Sequence, residues 1–447
     1  MQHEVMEVPV TDTGVRSKLK KEDIMHNMKV LVLLDAIFFT GAADLGVVVG
    51  PLYVWLGMSN TFIGILSGAT FAGLLGVFIS PWISRRFPVK KYYMLVAHVP
   101  YLLTWLLSGL ALIFADRLGF DRNDLMWMIF GLGLANAFLG GFVTLPHQEY
   151  VAACIPMSYR GRYTGYSFTV GGILSVGSAA LGGYILKVVE KPFAFGWLYV
   201  FCWAFCQGGY LLGLFGREER TPVEKSPHAW SKEMFKAFWN DKPFIRLLVV
   251  FTLYNLCVGP MFPFYSIYGF KELKMAAAAS AALAIVGTIV RSLTSTPAGL
   301  IVDKLGPRRV YAFSPLLAIP AALVMLFVKD GFGIHGLGVY IGAGLTALYM
   351  AATYSAFTAL AYGLPKPEHR SGHFTFQILV TYAAASIGPI FVGWMLDNLL
   401  PMKTVLLGHQ LSNYTLLFAI QIVLCIIATP IAWYLLKGLS DKHEDYA

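Results

Sequence analysis

Charge is what this sequence has least of. Only 13% of its 447 residues are Asp, Glu, Lys or Arg, against about 25% in an ordinary soluble domain. A chain so poor in charge and 57% hydrophobic has nowhere in water to put its apolar surface, so lipid must be part of its solvent. The mean hydropathy of +0.63 says the same. Cysteine is scarce too. Cys154, Cys202, Cys206, Cys257 and Cys425 all fall in or beside apolar runs, which excludes a disulfide framework and leaves small buried hydrophobes. No HExxH, GxSxG or Cys/His set occurs, so a hydrolase or metalloenzyme has no visible nucleophile or ligand set. No Walker or Gly-rich phosphate loop is present either, which argues against ATP as the driving force. The expectation is a protein that is not an enzyme and carries no cofactor or metal.

What is present is a series of long apolar runs. A span needs about 20 mostly apolar residues, and such runs occur at 29–51, 60–83, 92–115, 126–153, 164–187 and 194–215. A second set follows at 244–269, 276–301, 309–328, 335–362, 373–396 and 412–436. Residues 1–28 are polar, with Arg16, Lys18, Lys20 and Lys21 before a run too long for a cleavable signal, so the first span is read as retained. The one long polar stretch between the sets carries Arg217, Glu218, Glu219, Pro222, Glu224 and Pro227. The predicted organisation is a tail (1–28), a six-helix bundle (29–216), a linker (217–243), a second six-helix bundle (244–437) and a C-terminal tail (438–447). The fold class is an all-α membrane protein of twelve transmembrane helices in two pseudo-symmetric bundles.

Basic residues orient it. Of the 34 Lys and Arg, only Arg117, Arg122, Lys187, Lys191, Lys271, Lys274, Lys329 and Lys403 fall in loops on one side, and Arg291 alone lies within a span. The others gather on the opposite side, which places both termini in the cytoplasm of a cell membrane. That bias accounts for the net charge of +9 without nucleic acid.

The halves look related. Arg160-Gly161 after the fourth span recurs as Arg370-Ser371-Gly372 after the tenth, and Gly183-Tyr184-Ile185-Leu186 matches Gly393-Trp394-Met395-Leu396. Parallel six-helix repeats mark one large transporter architecture.

The loop after the eighth span reads Gly299-Leu-Ile-Val-Asp303-Lys304-Leu-Gly306-Pro307-Arg308-Arg309. Gly299 there permits close helix approach. Asp303 offers a carboxylate to a helix N-terminus or an arginine. Gly306 allows a tight turn, and Arg308 and Arg309 anchor at anionic headgroups. This loop resembles the inner-loop signature of the major facilitator superfamily. The matching first-half loop is degraded, with Ser80 in place of the Gly and Ser84 in place of the Asp. The resemblance implies two bundles rocking about a central site, with Asp303 as a latch and Arg370 as its partner. It also implies that spans one, four, seven and ten line the cavity.

Charge within a span costs about 2.5–3.5 kcal/mol on insertion scales, so each instance is a site hypothesis. Asp35 and Asp44 lie nine residues apart in the first span, about 900° of helix, and so face opposite sides. Asp35 shares its stripe with Phe39, which suits a solute pocket, whereas Asp44 lies beside Thr40 and Gly41, which suits packing; Asp35 is the preferred site residue. In span four, His147 and Glu149 form the densest polar cluster, read either as proton-handling groups or as a wet helix end. Arg291 stands in an apolar run and should find a buried acid or an anion. The working expectation is a three-way network of Asp35, Glu149 and Arg291, the alternative an ion pair tying helix eight to a neighbour. Asn136, Tyr254, Asn255, Tyr354 and Gln377 complete the cavity candidates. Pro260 and Pro263 predict a break in span seven, and the aromatic segment around them could stack on a solute. Together these features point to a monomeric, proton-coupled secondary transporter of a small organic solute; a uniporter, or a non-transporting receptor or assembly factor on the same fold, is the alternative.

Overall fold

The computed structural model describes residues 20–84, 86–155, 157–218, 232–331, 337–364, 370–400, 404–406 and 409–439. Within its helices the side chains of Asp44, Asp303 and Arg370 lie outside the described set. Eleven helices among the described residues are long and apolar enough to cross a membrane, and a twelfth carries the apolar stretch Ala279–Ser295. In order they are α1 (Lys21–Leu56), α2 (Asn60–Ser84), α3 (Lys90–Ile113), α4 (Arg122–Val151), α5 (Met157–Val188) and α6 (Phe193–Phe215). Then come α7 (Lys242–Lys271), α8 (Ala279–Leu305), α9 (Pro307–Val328), α10 (Leu337–Gly363), α11 (Arg370–Asn398) and α12 (Asn413–Leu435). In a bilayer every backbone polar group must be satisfied internally, and helices do this segment by segment. One small feature is not helical: Thr404–Leu406 (β1) and His409–Leu411 (β2) pair antiparallel between α11 and α12, a hairpin the sequence reading did not anticipate.

The side of the protein where α1 begins is called here the tail side, and the opposite one the far side. Helix ends are chemically marked. Gly57 ends α1 in the left-handed region at φ 75°, where a side chain would strain. Ser59 caps α2 through the amide of Phe62, and Ser412 caps α12 through Thr415. Asp121 and Asp124 form a capping box at the start of α4. Four helices are interrupted. α2 breaks at Gly68, α4 around Gly141, α9 in a 3-10 segment, Ser314–Ala318, and α7 in a short 3-10 turn, Gly259–Met261. The last contains Pro260, whose missing N–H and ring bulk interrupt the ladder.

Two seams join the first six helices to the last six. Along α2 and α11 the backbones touch: a Cβ on Gly64 would lie 2.4 Å from the Pro389 carbonyl oxygen, and one on Gly68 2.3 Å from that of Ser386. A Cβ on Gly393 would lie 2.3 Å from the Asn60 oxygen. In the second seam, of α5 with α8, a Cβ on Gly183 would lie 2.5 Å from Ala281 Cβ. Gly183 and Gly393 are the paired glycines of the internal repeat. The repeated motif therefore marks the same event twice, close packing across the two halves near the far side.

Polar bonds lock the far end of the α2–α11 seam. Asp397 accepts from the amides of Asn60 (3.2 Å) and Thr61 (2.6 Å) and from the Thr61 hydroxyl (2.7 Å). A carboxylate from the second half thus caps a helix of the first, where the N-terminal partial charge favours an anion. Lys271 donates to the Met58 carbonyl (3.0 Å) and to Asn60 Oδ1 (2.9 Å), and Tyr414 also donates to Asn60. Further down, Thr70 Oγ1 donates to the Tyr382 carbonyl (3.2 Å) and meets Ser386 Oγ at 2.9 Å. The cross-half bonds run from this far end to Tyr382 and Thr144 at mid-depth.

Gly299 departs from expectation: among the described residues a Cβ there meets nothing within 4 Å. Gly306 fits its expected turn, with φ 86°. Gly393→Val is accordingly expected to wedge the seam and cost about 1–3 kcal/mol. Gly299→Ala should be neutral or stabilising by about 0.5–1 kcal/mol, through helix propensity alone. Thermal unfolding of the two variants in detergent tests the contrast; equal midpoints would contradict the seam.

Candidate solute-binding cavity

A cavity of about 580 Å³ opens among α1, α2, α3, α4 and α6. Rings are prominent in its walls, among them Phe38, Phe39, Tyr53, Tyr101, Trp105, Tyr199 and Tyr210, with small and aliphatic side chains between them. Close packing makes room for it on one side, since a Cβ on Gly141 would lie 1.9 Å from the Gly73 carbonyl oxygen, bringing α4 hard against α2. A second cavity, about 320 Å³, shares Val49 and Tyr53 with the first and reaches Pro263, Ser266 and Ile267 of α7.

Polar groups concentrate in one part of the larger cavity. The Asp35 carboxylate, almost buried, accepts from the Tyr163 hydroxyl on α5, and its other oxygen lies 3.5 Å from His147 Nε2 on α4. His147 Nδ1 is buried without a protein partner. The Tyr210 ring stands edge-on to His147, with centroids 6.1 Å apart, and lies 3.5 Å from the ring of His98. His98 is fixed in turn by Nδ1 against the Met94 carbonyl at 2.7 Å. A carboxylate, two imidazoles and two phenols from five helices thus form one contiguous set. Asn136 lines the same space, donating to the Tyr101 carbonyl (3.1 Å) and Thr104 Oγ1 (2.8 Å).

Asp35, Phe39, Asn136 and His147 therefore come together as cavity-lining groups. The rest do not. Glu149 lies apart at the tail end of α4, where Ser84 donates to it and Lys90 Nζ approaches to 3.3 Å. The buried Lys90 ammonium also donates to Ser84 O and Oγ, both at 3.0 Å. Ser84 stands where the superfamily signature has its aspartate, so in this half the acid is supplied by a neighbouring helix. Next to it Glu218 caps α3 through the amides of Lys90 (3.0 Å) and Lys91 (3.2 Å). Burial pushes the Glu218 carboxyl up from its ordinary range, and those two amides pull it back only in part.

Arg291 corrects the expected network. It is exposed on α8 and does not line the cavity, and among the described residues no carboxylate is within 4.0 Å of it. Asp35 has already found Tyr163 and His147, and Glu149 has found Lys90. The second-half cavity candidates are corrected as well. Tyr254 is buried, bonding the carbonyls of Tyr311 (2.9 Å) and Ala312 (3.1 Å), while Asn255 donates back to Phe251 within its own helix. Tyr354 is 68% exposed on α10, and Gln377 lies outside the cavity lining. Around the α7 break, Tyr265 bonds Gln421 at 2.7 Å and Tyr268 packs on Tyr414 and Phe418. Those rings are core. Arg308 stacks on Trp433 at 4.9 Å rather than reaching outward alone, and Arg309 is exposed. Asp44, Asp303 and Arg370 fall on side chains outside the described set.

Tyr163, Tyr210, His98 and Lys90 escaped sequence reading. Among 23 Tyr and 32 Phe nothing local separates a cavity phenol from an interface one. His98 carried a signal, as a histidine eight residues inside an apolar helix.

A multi-helix membrane protein with two related halves, sealed along glycine seams around a ring-lined cavity, has the construction of a small-solute transporter. The sequence matches the Major Facilitator Superfamily over residues 31–296 and 288–445, and the chain belongs to that family. It is 25% identical over 334 residues to the multidrug resistance protein MdtG of Serratia proteamaculans, covering 70% of this chain and 75% of that one. It is 28% identical to MdtG of Dickeya zeae, covering 70% and 76%. Among solved structures, a D-xylose–proton symporter superposes with a TM-score of 0.70 at 14% identity, covering 94% of this chain and 99% of that one.

The Lys90–Glu149 pair yields a direct test. Lys90→Met leaves Glu149 facing a partly buried site without its cation, expected to cost about 2–4 kcal/mol. The double variant Lys90→Met/Glu149→Gln should recover at least half of that loss. Unfolding midpoints that fall additively would show that the two groups do not depend on each other.

Proposed function

We propose that this protein is a proton-coupled secondary transporter that expels small, flat, largely apolar solutes by alternating access. The observation that carries the reading is Asp35: a carboxylate at membrane depth, bonded to Tyr163, facing His147, and opening on a ring-lined cavity of about 580 Å³. Apolar walls with a few convergent polar groups are the usual make-up of a small-molecule site. Two relatives bear the name multidrug resistance protein, which supports broad, apolar solute recognition and outward movement. One structural neighbour is named a proton symporter, which supports proton coupling on this fold.

In this reading the tail side is cytoplasmic, the membrane is the cell membrane, and the protein works as a monomer. On this reading the bonded far-side seam is the outer seal, and solute enters the cavity from the tail side. Asp35 and His147 share the proton. When it is held, the pair is closer to neutral or internally compensated, and the first half can cross between states without an unbalanced charge. When it is lost, the carboxylate attracts a solute with a positive or polarised ring. The ring walls supply apolar area, and Asn136 and Gln148 the remaining polar contacts. Glu149 belongs to the inner rim, where its pairing with Lys90 holds the ends of α2, α3 and α4 together. The corresponding inner latch of the second half is assigned to Asp303 and Arg370 on the resemblance of their loop to the superfamily signature.

The test uses purified protein in vesicles carrying an imposed pH gradient, with ethidium as the probe. Wild type is expected to couple dye movement to proton flux. Asp35→Asn should lower coupled movement at least tenfold, and His147→Gln several-fold. Undiminished coupled flux in Asp35→Asn would dispose of the proton role given to that carboxylate. Dye movement with no proton flux in wild type would favour uniport instead.

A further inference from the structure

Every residue lining the larger cavity but one comes from the first six helices; the exception is Tyr382, on α11. Its backbone is tied into the seam, since Thr70 donates to its carbonyl at 3.2 Å. Its ring enters the first half beside Gly73, where a Cβ would lie 3.1 Å from Tyr382 Cε1. The phenol then reaches Thr144 Oγ1 on α4 at 3.3 Å. A side chain of one half thus lies against the α2–α4 contact of the other and ends on α4.

We propose that Tyr382 is the positioning residue through which a solute in the larger cavity senses the second half of the protein, so that solute binding favours the state sealed on the far side. The inference rests on the reading of this cavity as the solute site. A ligand shifts a conformational equilibrium only as far as it binds the two states differently. The other lining groups belong to one bundle and travel with it, so a solute confined to this cavity touches them much alike in both states. Tyr382 travels with α11. When the seam parts, its ring leaves, and a solute stacked against it loses that contact. Ring stacking of this kind changes an equilibrium by about two- to tenfold, which selects flat aromatic solutes. Gly73 is part of the device: a larger residue there would meet the Tyr382 ring (3.1 Å) as well as the Ala137 carbonyl of α4 (2.8 Å).

The experiment measures two things on full-length purified protein with ethidium as probe. One is dye affinity by fluorescence. The other is amide hydrogen exchange of the Asn60–Ser67 segment, which reports the far-side seam because the Thr61 amide is bonded to Asp397 there. In wild type, bound dye is expected to slow exchange of this segment at least threefold. Tyr382→Phe keeps the ring and should keep the effect. Tyr382→Ala should bind dye with affinity reduced no more than about tenfold, yet show no dye-dependent slowing when saturated. If saturated Tyr382→Ala slows exchange as wild type does, or if bound dye leaves wild-type exchange unchanged, the proposal fails and the cavity reading stands. If wild type binds no dye, the cavity reading fails and takes the proposal with it.

Discussion

The contact of bare backbone on backbone between α2 and α11 is the constraint on which the remaining arrangement depends. In lipid, apolar side chains gain little by leaving the bilayer for a neighbouring helix, so helices associate by close fit and by interhelical hydrogen bonds. Gly64, Gly68 and Gly393 remove the side chains that would keep the two backbones apart. Only at that separation can Asp397 reach the amides of Asn60 and Thr61. The same approach brings Thr70 to Tyr382 and Ser386. The seam also has to come apart in a working transporter, and its chemistry suits this. It is held mainly by hydrogen bonds and close backbone contacts, with Ile390 and Tyr382 the large side chains packed at its glycines Gly68 and Gly73. Bonds near the far-side surface can be exchanged for water when the seam opens, which keeps the difference between states small.

The buried charges follow a second logic. Two carboxylates of the first half, both among the described residues, have specific neutral and ionic partners: Asp35 has Tyr163 and His147, Glu149 has Ser84 and Lys90. These pairings differ in kind. Lys90 brings an ammonium to Glu149, so that pairing is one of opposite charges. Tyr163 and His147 offer Asp35 a donor and a titratable ring, and their charge balance changes when one proton is added or removed. Of the two acids, only Asp35 sits in surroundings whose charge balance can vary with a proton, and it is the one that faces the cavity.

Much of the architecture was legible because lipid imposes a crude and strict rule. Twenty apolar residues with scattered charge at the ends are hard to read as anything other than a span, and the break at Pro260 follows from a missing N–H. The repeat was legible through Gly183 and Gly393, although their role in the seams needed coordinates. Site residues were legible only as costs. A charge in a span announces that it needs a partner, and this singled out Asp35, His147 and Glu149. It does not say which partner, because pairing depends on rotation about several helix axes at once. Assigning Arg291 to Asp35 and Glu149 matched charges at similar depth while ignoring rotation, and α8 turns that guanidinium elsewhere. Two of the partners actually used, Tyr163 and Ser84, are neutral and carry no such signal, and Lys90 lies at a helix end where a basic residue is ordinary. The candidates Tyr254 and Asn255 failed for a related reason: assigning span seven to the cavity by analogy does not fix which face of the helix is presented.

The two halves share their packing but divide the chemistry unequally, and this bears on how a transporter of this shape can be driven. Glycines at equivalent positions hold both seams, so the geometry of rocking is close to symmetric. The cavity, its carboxylate and both of its imidazoles belong to the first half. In the proposed mechanism a proton or solute bound there acts on the first half, and by itself gives no preference between the two positions of the other. Coupling therefore requires some group to cross the divide. Asp397 crosses at the surface and Tyr382 at mid-depth, and only Tyr382 ends in the cavity. An uneven division of this kind makes the seam between α2 and α11 more than a hinge. It is the route by which events in one half can alter the energy of the other.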